Sequence, residues 1–330
     1  MQHAAVVRSI WLCAVLMFSG TPAQSAVASW KPEKSIEIVA PSGPGGTTDR
    51  TARVLARIMT QHKLVEVPVN VVNKPGGNGI IGLTYIDQHP GDPHFVIIGT
   101  SASITNHIMG LIAYNHTRFT PLAMLFEEYL AVNARADSEL KSGRELIDRL
   151  RKDPQSASIG ISTSIGGANH TSLMVALKAG GIDLKRVKTV VFAGGAASTT
   201  ALLGGHVDVI NTAPGNMAQH FLSGKLRPLA ISAPQRLKGA FAVVPTWKEQ
   251  GVDAVSSSWR GLLAPRGLTA EQIAYWDRVL AALTRTDEWK KDLQDNYWDE
   301  GYADAKTARK RYDEEYVEFK AILQELGAAK

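Results

Sequence analysis

Short runs of β-branched residues alternate with stretches of helical periodicity along most of the chain. In the first unit, residues 36–57, a run of Ile and Val ends in a turn rich in glycine and proline, after which apolar residues recur every three or four positions. The run is typical of a buried strand, and the later spacing is typical of one face of a helix. The pattern therefore predicts a strand, a tight turn and a helix in that order.

The same unit recurs several times before amphipathic helical spacing takes over near Thr269. Alternating strands and helices are typical of α/β proteins with mainly parallel sheets flanked by helices. A chain of 330 residues with 45% hydrophobic content also exceeds the usual size of a single core, so two lobes are expected. The predicted fold is a two-lobed α/β protein.

The first 28 residues have the composition of an export signal. Arg8 precedes an apolar core at residues 10–18, and Ala26-Val27-Ala28 supplies the small residues that signal peptidase requires. The core is too short for the alternative, a permanent membrane anchor. We expect cleavage after Ala28 and a periplasmic protein. Because Cys13 is the only cysteine, the mature chain would have no disulfide, thiolate metal site or cysteine nucleophile.

Charged residues of both signs are interspersed along the chain, and the net charge is +5. A nucleic-acid-binding protein usually concentrates its basic residues in one stripe. The sequence therefore predicts no nucleic-acid partner, and a mildly basic surface is compatible with an anionic ligand.

Four loops share one chemistry. They begin at Pro41, Gly99, Ser162 and Ala193, and each follows a strand, consists mainly of Gly, Ala, Ser and Thr, and enters a helix. In open α/β sheets such loops gather at the carboxyl ends of the strands, where ligands bind. Helix N-termini and hydroxyl groups there can bind carboxylate oxygens without a cationic side chain. The loops therefore predict a shared anion site.

Motifs for catalysis are incomplete. The first loop lacks the lysine of a phosphate-binding loop, no dinucleotide fingerprint follows a strand, and no histidine pair has zinc spacing. Residues 99–103 approach a serine nucleophile elbow, but Ser103 replaces its second glycine. We therefore expect no enzyme, no cofactor and no metal site. The alternative is a secreted α/β hydrolase with an atypical serine loop, whose triad His170 and Asp208 would have to complete.

Several short motifs occur in order: VAPSGPGGTTD at residues 39–49, VNKPGG at residues 72–77, LLGGHVD at residues 202–208, SGKLR at residues 223–227 and GLLAP at residues 261–265. Together they resemble the substrate-binding components of tripartite tricarboxylate transporters, the Bug family of periplasmic receptors. The resemblance implies a monomeric, type II-like binding protein that closes on a small organic carboxylate and delivers it to a large and a small membrane subunit. It suggests citrate or another tricarboxylate as the ligand. A ligand-sensing receptor without a transport role is the alternative.

The resemblance also implies how the chain divides. Lobe one comprises residues 29–128 and about 232–330, and lobe two comprises about 129–231, with the ligand cleft between them. Two positions depart from the family pattern: Thr212 stands where the family carries an acidic residue, and Ala193-Gly194 replaces a common lysine-glycine pair. Because of both changes, an amino-acid specificity is not carried over from the family to this chain, and the second change also removes a possible cation.

The predicted ligand site combines the four loops with one cation. Arg260 could meet a further carboxylate, although we favour an arginine that stacks on Trp259 or is paired at the surface. Asn169 and His170 could bind ligand oxygens; alternatively, Asn169 caps its helix and His170 packs. The residues assigned to the site are Pro41, Ser42, Gly45, Gly46, Thr47, Asp49, Ser101, Ser103, Ser164, Gly167, Ala168, Asn169, His170, Ala193, Gly194, Gly195 and Arg260.

Overall fold

Two β-sheets, each covered by helices, make up the protein. The computed structural model describes residues 30–162, 164–192 and 194–330, so the predicted signal peptide, residues 1–28, lies outside it. The strands are β1 (Ile36–Ala40), β2 (Val69–Asn73), β3 (Phe95–Gly99), β4 (Thr120–Glu127), β5 (Ala131–Arg135), β6 (Ser158–Ser162), β7 (Lys188–Phe192), β8 (Val209–Thr212), β9 (Leu226–Ile231), β10 (Arg260–Ala264) and β11 (Asp299–Asp304). The helices are α1 (Thr47–Gln61), α2 (Ile80–Asp87), α3 (Ala102–Ile108), α4 (Gly143–Lys152), α5 (Ala168–Ala179), α6 (Gly195–Leu203), α7 (Pro214–Leu222), α8 (Ala270–Leu283), α9 (Asp287–Asn296) and α10 (Ala305–Glu325). Within the described ranges, no helix combines the length and the apolarity needed to cross a membrane.

The predicted first unit is confirmed. Strand β1 is almost wholly buried, and α1 turns Ala52, Leu55, Ile58 and Met59 toward it. Gly46 is the N-cap residue of α1, and no side chain caps this helix. The first N–H groups of α1 are therefore left without an intrahelical or side-chain partner.

The α/β fold is confirmed, but the expectation of mainly parallel sheets is wrong, because both sheets are mixed. The first sheet has the order β11-β4-β10-β3-β1-β2, and only β1 pairs in parallel, with β2 and β3. The second has the order β7-β6-β8-β5-β9, and only β6 pairs in parallel, with β7 and β8. The antiparallel pairs arise because the chain passes between the sheets twice. It enters the second sheet through β4 and β5 and returns to the first through β9 and β10.

Each sheet packs against its own apolar core. Trp276 and Trp289 are buried with the six-stranded sheet, and Leu173 and Met174 are buried with the five-stranded sheet. The segment after β9 joins this second core through Phe241 and Trp247, together with Leu237, Val244, Val252 and Ala254. We therefore propose that lobe two extends to about residue 254 before the chain returns to the first sheet.

Helix α10 contacts both cores. Tyr312 and Phe319 pack with the six-stranded sheet, whereas Ile322, one turn further on, packs with the five-stranded sheet. An ion pair of 2.6 Å between Glu325 and Lys178 of α5 lies close to the end of this helix. The last helix thus connects the two halves along their side.

Candidate functional site

The first wall of the candidate site is the loop between β1 and α1. Gly45 adopts a positive φ of 81°, which favours glycine, and lets the loop turn into the helix. Thr48 Oγ1 donates a hydrogen bond of 2.6 Å to Ser42 Oγ, and Ser42 donates to the Gly43 carbonyl at 3.2 Å. The loop therefore presents two linked hydroxyl oxygens beside the uncapped N-terminus of α1.

Asp49 holds this loop in place. Its buried carboxylate accepts hydrogen bonds from Gly45 N and Asn73 Nδ2, both at 2.8 Å, and it pairs with Arg53. Burial alone would raise the pKa of Asp49, but the hydrogen bonds from Arg53, Gly45 and Asn73 outweigh it and lower the pKa to about 2. The Asp49 carboxylate therefore stabilises the conformation of the loop through its hydrogen bonds within the protein.

The second wall comes from the turns after β2 and β3. Asn78 has left-handed backbone angles, φ 53° and ψ 40°, and exchanges two hydrogen bonds with the fully buried Asn106. Ser101 lies in the turn after β3. Ser103 is buried, and its hydroxyl donates to the Thr100 carbonyl at 2.7 Å. This wall is therefore polar and held by its own hydrogen bonds.

The third wall is the loop between β6 and α5, which belongs to the other sheet. Gly167 is the N-cap of α5 without a side-chain cap, as Gly46 is for α1. His170 Nδ1 accepts from Gly166 N at 3.2 Å, and burial lowers the pKa of His170 to about 4, so the ring is neutral at pH 7. Asn169 donates to the Asn211 carbonyl at 3.0 Å. His170 is therefore a buried packing residue that holds the loop, which is the second of the two roles expected for it.

Arg260 supplies positive charge to the same site. Its side chain is 11% exposed and donates from Nη1 to Ser258 and to the carbonyl of Trp259. Its Nη2 lies 3.5 Å from Oε2 of the buried Glu128, and its buried Nε has no hydrogen-bond partner in the described part of the chain. Burial lowers the pKa of Arg260, and the Glu128 carboxylate opposes that effect. The favoured expectation of a stacked or surface-paired arginine is not what the structure shows.

The three walls and Arg260 enclose a cavity of about 380 Å³. Among the described residues its lining is Pro41, Ser42, Thr48, Pro75, Gly76, Asn78, Gly79, Thr100, Ser101, Ala102, Ser164, Gly167, Ala168, Asn169 and Arg260. Of the predicted residues, those outside this lining are Gly45, Gly46, Thr47, Asp49, Ser103, His170, Gly194 and Gly195. Ala193 lies outside the described residues.

The fourth predicted loop follows β7, which is the edge strand of its sheet. Gly195 packs closely against Asn216, because a Cβ at this glycine would approach Asn216 Nδ2 to 2.4 Å. A larger cavity, of about 650 Å³, lies elsewhere, between residues 237–239 and 290–300. Its lining includes none of the predicted loops, so we assign the candidate site to the smaller cavity.

The prediction missed the turn after β2, which contributes Pro75, Gly76, Asn78 and Gly79 to the lining. This turn also follows a strand and enters a helix, and it is rich in glycine. It differs from the four predicted loops because it contains Asn, Lys and Pro in place of Ser and Thr. Hydroxyl content alone was therefore an incomplete signal for the loops that line the cavity.

A comparison with protein families decides whether the protein is a receptor or a hydrolase. Residues 51–328 match the family model described as "Tripartite tricarboxylate transporter family receptor". The chain belongs to this family. Its members are periplasmic solute-binding receptors and not enzymes, which confirms the predicted family and excludes the hydrolase alternative.

Relatives and solved structures support this membership. The receptor is 28% identical to "Protein BugT" of Bordetella pertussis over 75% of either chain. It matches a TctC solute-binding protein from Polaromonas, solved without ligand, with a TM-score of 0.74 and 26% identity, over 89% of this chain and 99% of the other. It shares the fold of "R. palustris Rpa4515 with adipate", with a TM-score of 0.78 and 24% identity, over 90% and 99% of the two chains. The two-lobed binding-protein fold is thereby confirmed.

Proposed function

We propose that the receptor captures a small organic carboxylate in the 380 Å³ cavity and delivers it to the large and small membrane subunits of a tripartite transporter. The observation that carries the proposal is Arg260, the only Lys or Arg in the described lining of a cavity walled by loops from both sheets. A carboxylate that bridges the loops of the two sheets would favour the closed form over the open form. The adipate-bound neighbour supports this ligand class.

The contacts available are sufficient for useful affinity. Each charge-assisted hydrogen bond contributes roughly 1.5–3 kcal/mol, and each helix N-terminus adds about 0.3–2 kcal/mol. Micromolar affinity requires about 8 kcal/mol. Arg260 together with the uncapped starts of α1 and α5 can therefore hold one or two carboxylates.

The small positive charge of the cavity lining limits how many carboxylates the ligand can carry. Glu128 partly neutralises Arg260, and no second cationic side chain lines the cavity in the described residues. A trianion such as citrate would leave more charge uncompensated than a dianion. We therefore propose dicarboxylates as the first candidates and keep citrate among the ligands to be tested.

The cell location and assembly complete the proposal. We propose that the chain is exported, cleaved after Ala28 and active as a monomer in the periplasm. The family supports the location, since its members are periplasmic binding proteins.

A thermal-shift screen tests the function. Added to purified protein at millimolar concentration, a bound carboxylate should raise the melting temperature, because a ligand that binds only the folded state stabilises it by mass action. Malate, succinate, adipate, citrate and monocarboxylates form the panel, and the matching primary amides, which lack the charge, are the controls. If no member of the panel shifts the melting temperature, the proposed ligand class is wrong.

A further inference from the structure

A chain of hydrogen bonds across the cavity has a fixed polarity. It begins at the backbone carbonyl of Asn78, which can only accept, so the Asn106 atom 3.1 Å from it must be Nδ2. Asn106 Oδ1 then faces the Asn78 side chain and accepts from Asn78 Nδ2 at 3.0 Å. Turning over the Asn78 amide would place two acceptor oxygens against each other, so these two hydrogen bonds fix the orientation of both amides.

The orientation of Asn78 decides what Ser164 does. With Nδ2 committed to Asn106, the Asn78 atom that faces Ser164 is Oδ1, an acceptor, and Ser164 Oγ donates to it at 3.1 Å. This bond joins a loop of the first sheet to a loop of the second. A serine hydroxyl has one hydrogen, so Ser164 offers only oxygen lone pairs to a ligand.

Asn169, on the same wall, is oriented in a similar way. Its Nδ2 donates to the Asn211 carbonyl at 3.0 Å, and Asn211 Nδ2 donates back to the Asn169 carbonyl at 2.8 Å. Asn169 is a lining residue of the cavity, and its side-chain oxygen has no hydrogen-bond partner among the described residues. Two acceptor oxygens, from Ser164 and Asn169, therefore belong to the wall that the second sheet supplies.

The acceptor oxygens of Ser164 and Asn169 would repel a ligand carboxylate. They can instead accept a hydrogen bond from a donor group of the ligand. Building on the proposed function, in which Arg260 and the helix N-termini hold carboxylate, we infer that the ligand is a hydroxycarboxylate whose hydroxyl donates to Ser164. An ammonium group is the other common donor, but no Asp or Glu in the described lining would balance its charge. The hydroxyl satisfies the acceptor without adding a charge.

Matched ligand pairs test this inference by titration calorimetry on the mature protein. Malate against succinate and citrate against tricarballylate differ only in one hydroxyl, and aspartate replaces the malate hydroxyl with an ammonium. The hydroxy member of at least one pair should bind about tenfold more tightly, because its partner has no hydroxyl to donate to the Ser164 oxygen. Aspartate should bind more weakly than malate.

Variants locate the effect. Ser164→Ala should reduce the preference within the pair to about twofold, and Ser164→Thr, which keeps the hydroxyl, should restore it. Ser223→Ala is the control, since this exposed serine donates to the His220 carbonyl outside the cavity and should leave the ratio unchanged. Melting of each ligand-free variant establishes that it is folded.

The outcomes separate the two proposals. Equal binding within both pairs, a ratio unaffected by Ser164→Ala, or tighter binding of aspartate would overturn the hydroxyl inference while the carboxylate receptor stands. Failure of every carboxylate to bind would overturn both.

Discussion

Replacing Arg260 with methionine is expected to weaken carboxylate binding by about 100-fold, because the variant loses the one cation in the described lining of the cavity. It is also expected to lose about 3 kcal/mol of stability, since Glu128, whose side chain is 7% exposed, would remain buried without its counter-ion. Titration calorimetry, with the carboxylate that gives the largest thermal shift, and urea unfolding measure the two effects.

The double variant Arg260→Met with Glu128→Gln separates binding from folding. The introduced amide would keep an oxygen for Trp298 Nε1, which now donates to Glu128 Oε1 at 2.9 Å, and would remove the buried charge. Stability should recover while binding stays weak relative to Glu128→Gln alone. If the double variant binds as well as that single variant, Arg260 does not hold the ligand.

Replacing Asp49 with asparagine is expected to cost about 3 kcal/mol of stability at neutral pH, because an amide cannot replace both oxygens that receive Gly45, Asn73 and Arg53. Ligand affinity should fall as well, since the loop carrying Ser42 loses its support. Urea unfolding and calorimetry at pH 7 check both effects. Asp137→Asn, at an exposed ion pair with Arg135, is the control and should change little.

The cost of Asp49→Asn should depend on pH. Its pKa in the folded protein is about 2, below the ordinary value of 3.8, so the folded state binds fewer protons than the unfolded state between these values. The stabilisation by Asp49 is therefore complete above about pH 5 and is lost as the pH falls toward 2. Unfolding curves of wild type and variant should converge over that interval. A constant difference from pH 7 to pH 2 would refute the assignment.

The position of the candidate cavity could be predicted because glycine-rich turns after strands are visible in the sequence. Ser42, Ser101 and Ser164 belong to such turns, Asn169 lies in the first turn of the helix that follows one of them, and all four line one cavity. The physical basis is general: such turns leave helix N–H groups uncovered at the ends of strands.

The sequence could not predict whether each polar side chain faces the cavity or is hydrogen-bonded within the protein. Asp49, Ser103 and His170 have the chemistry of ligand-binding groups, but each is hydrogen-bonded within the protein. The hydrogen-bonding role of Asn78 could not be predicted because its partners, Asn106 and Ser164, are 28 and 86 positions away in the chain. Hydrogen-bond direction depends on such distant partners, and local patterns do not contain it.

Strand direction was the other failure. The spacing of apolar residues and the length of an apolar run can identify a strand such as β4 or β10. Neither property distinguishes parallel from antiparallel pairing. The direction follows from how often the chain passes between the sheets, which is a property of the whole path.

Trp298 gives the receptor a built-in optical reporter. Its ring stacks on Phe126 with centroids 4.0 Å apart, and its Nε1 donates to the Glu128 carboxylate whose other oxygen faces Arg260. A carboxylate that attracts the guanidinium away from Glu128 would change the electric field at this indole and shift its emission. Intrinsic fluorescence should therefore follow ligand occupancy without a dye, and Trp298→Phe should remove the signal while binding persists.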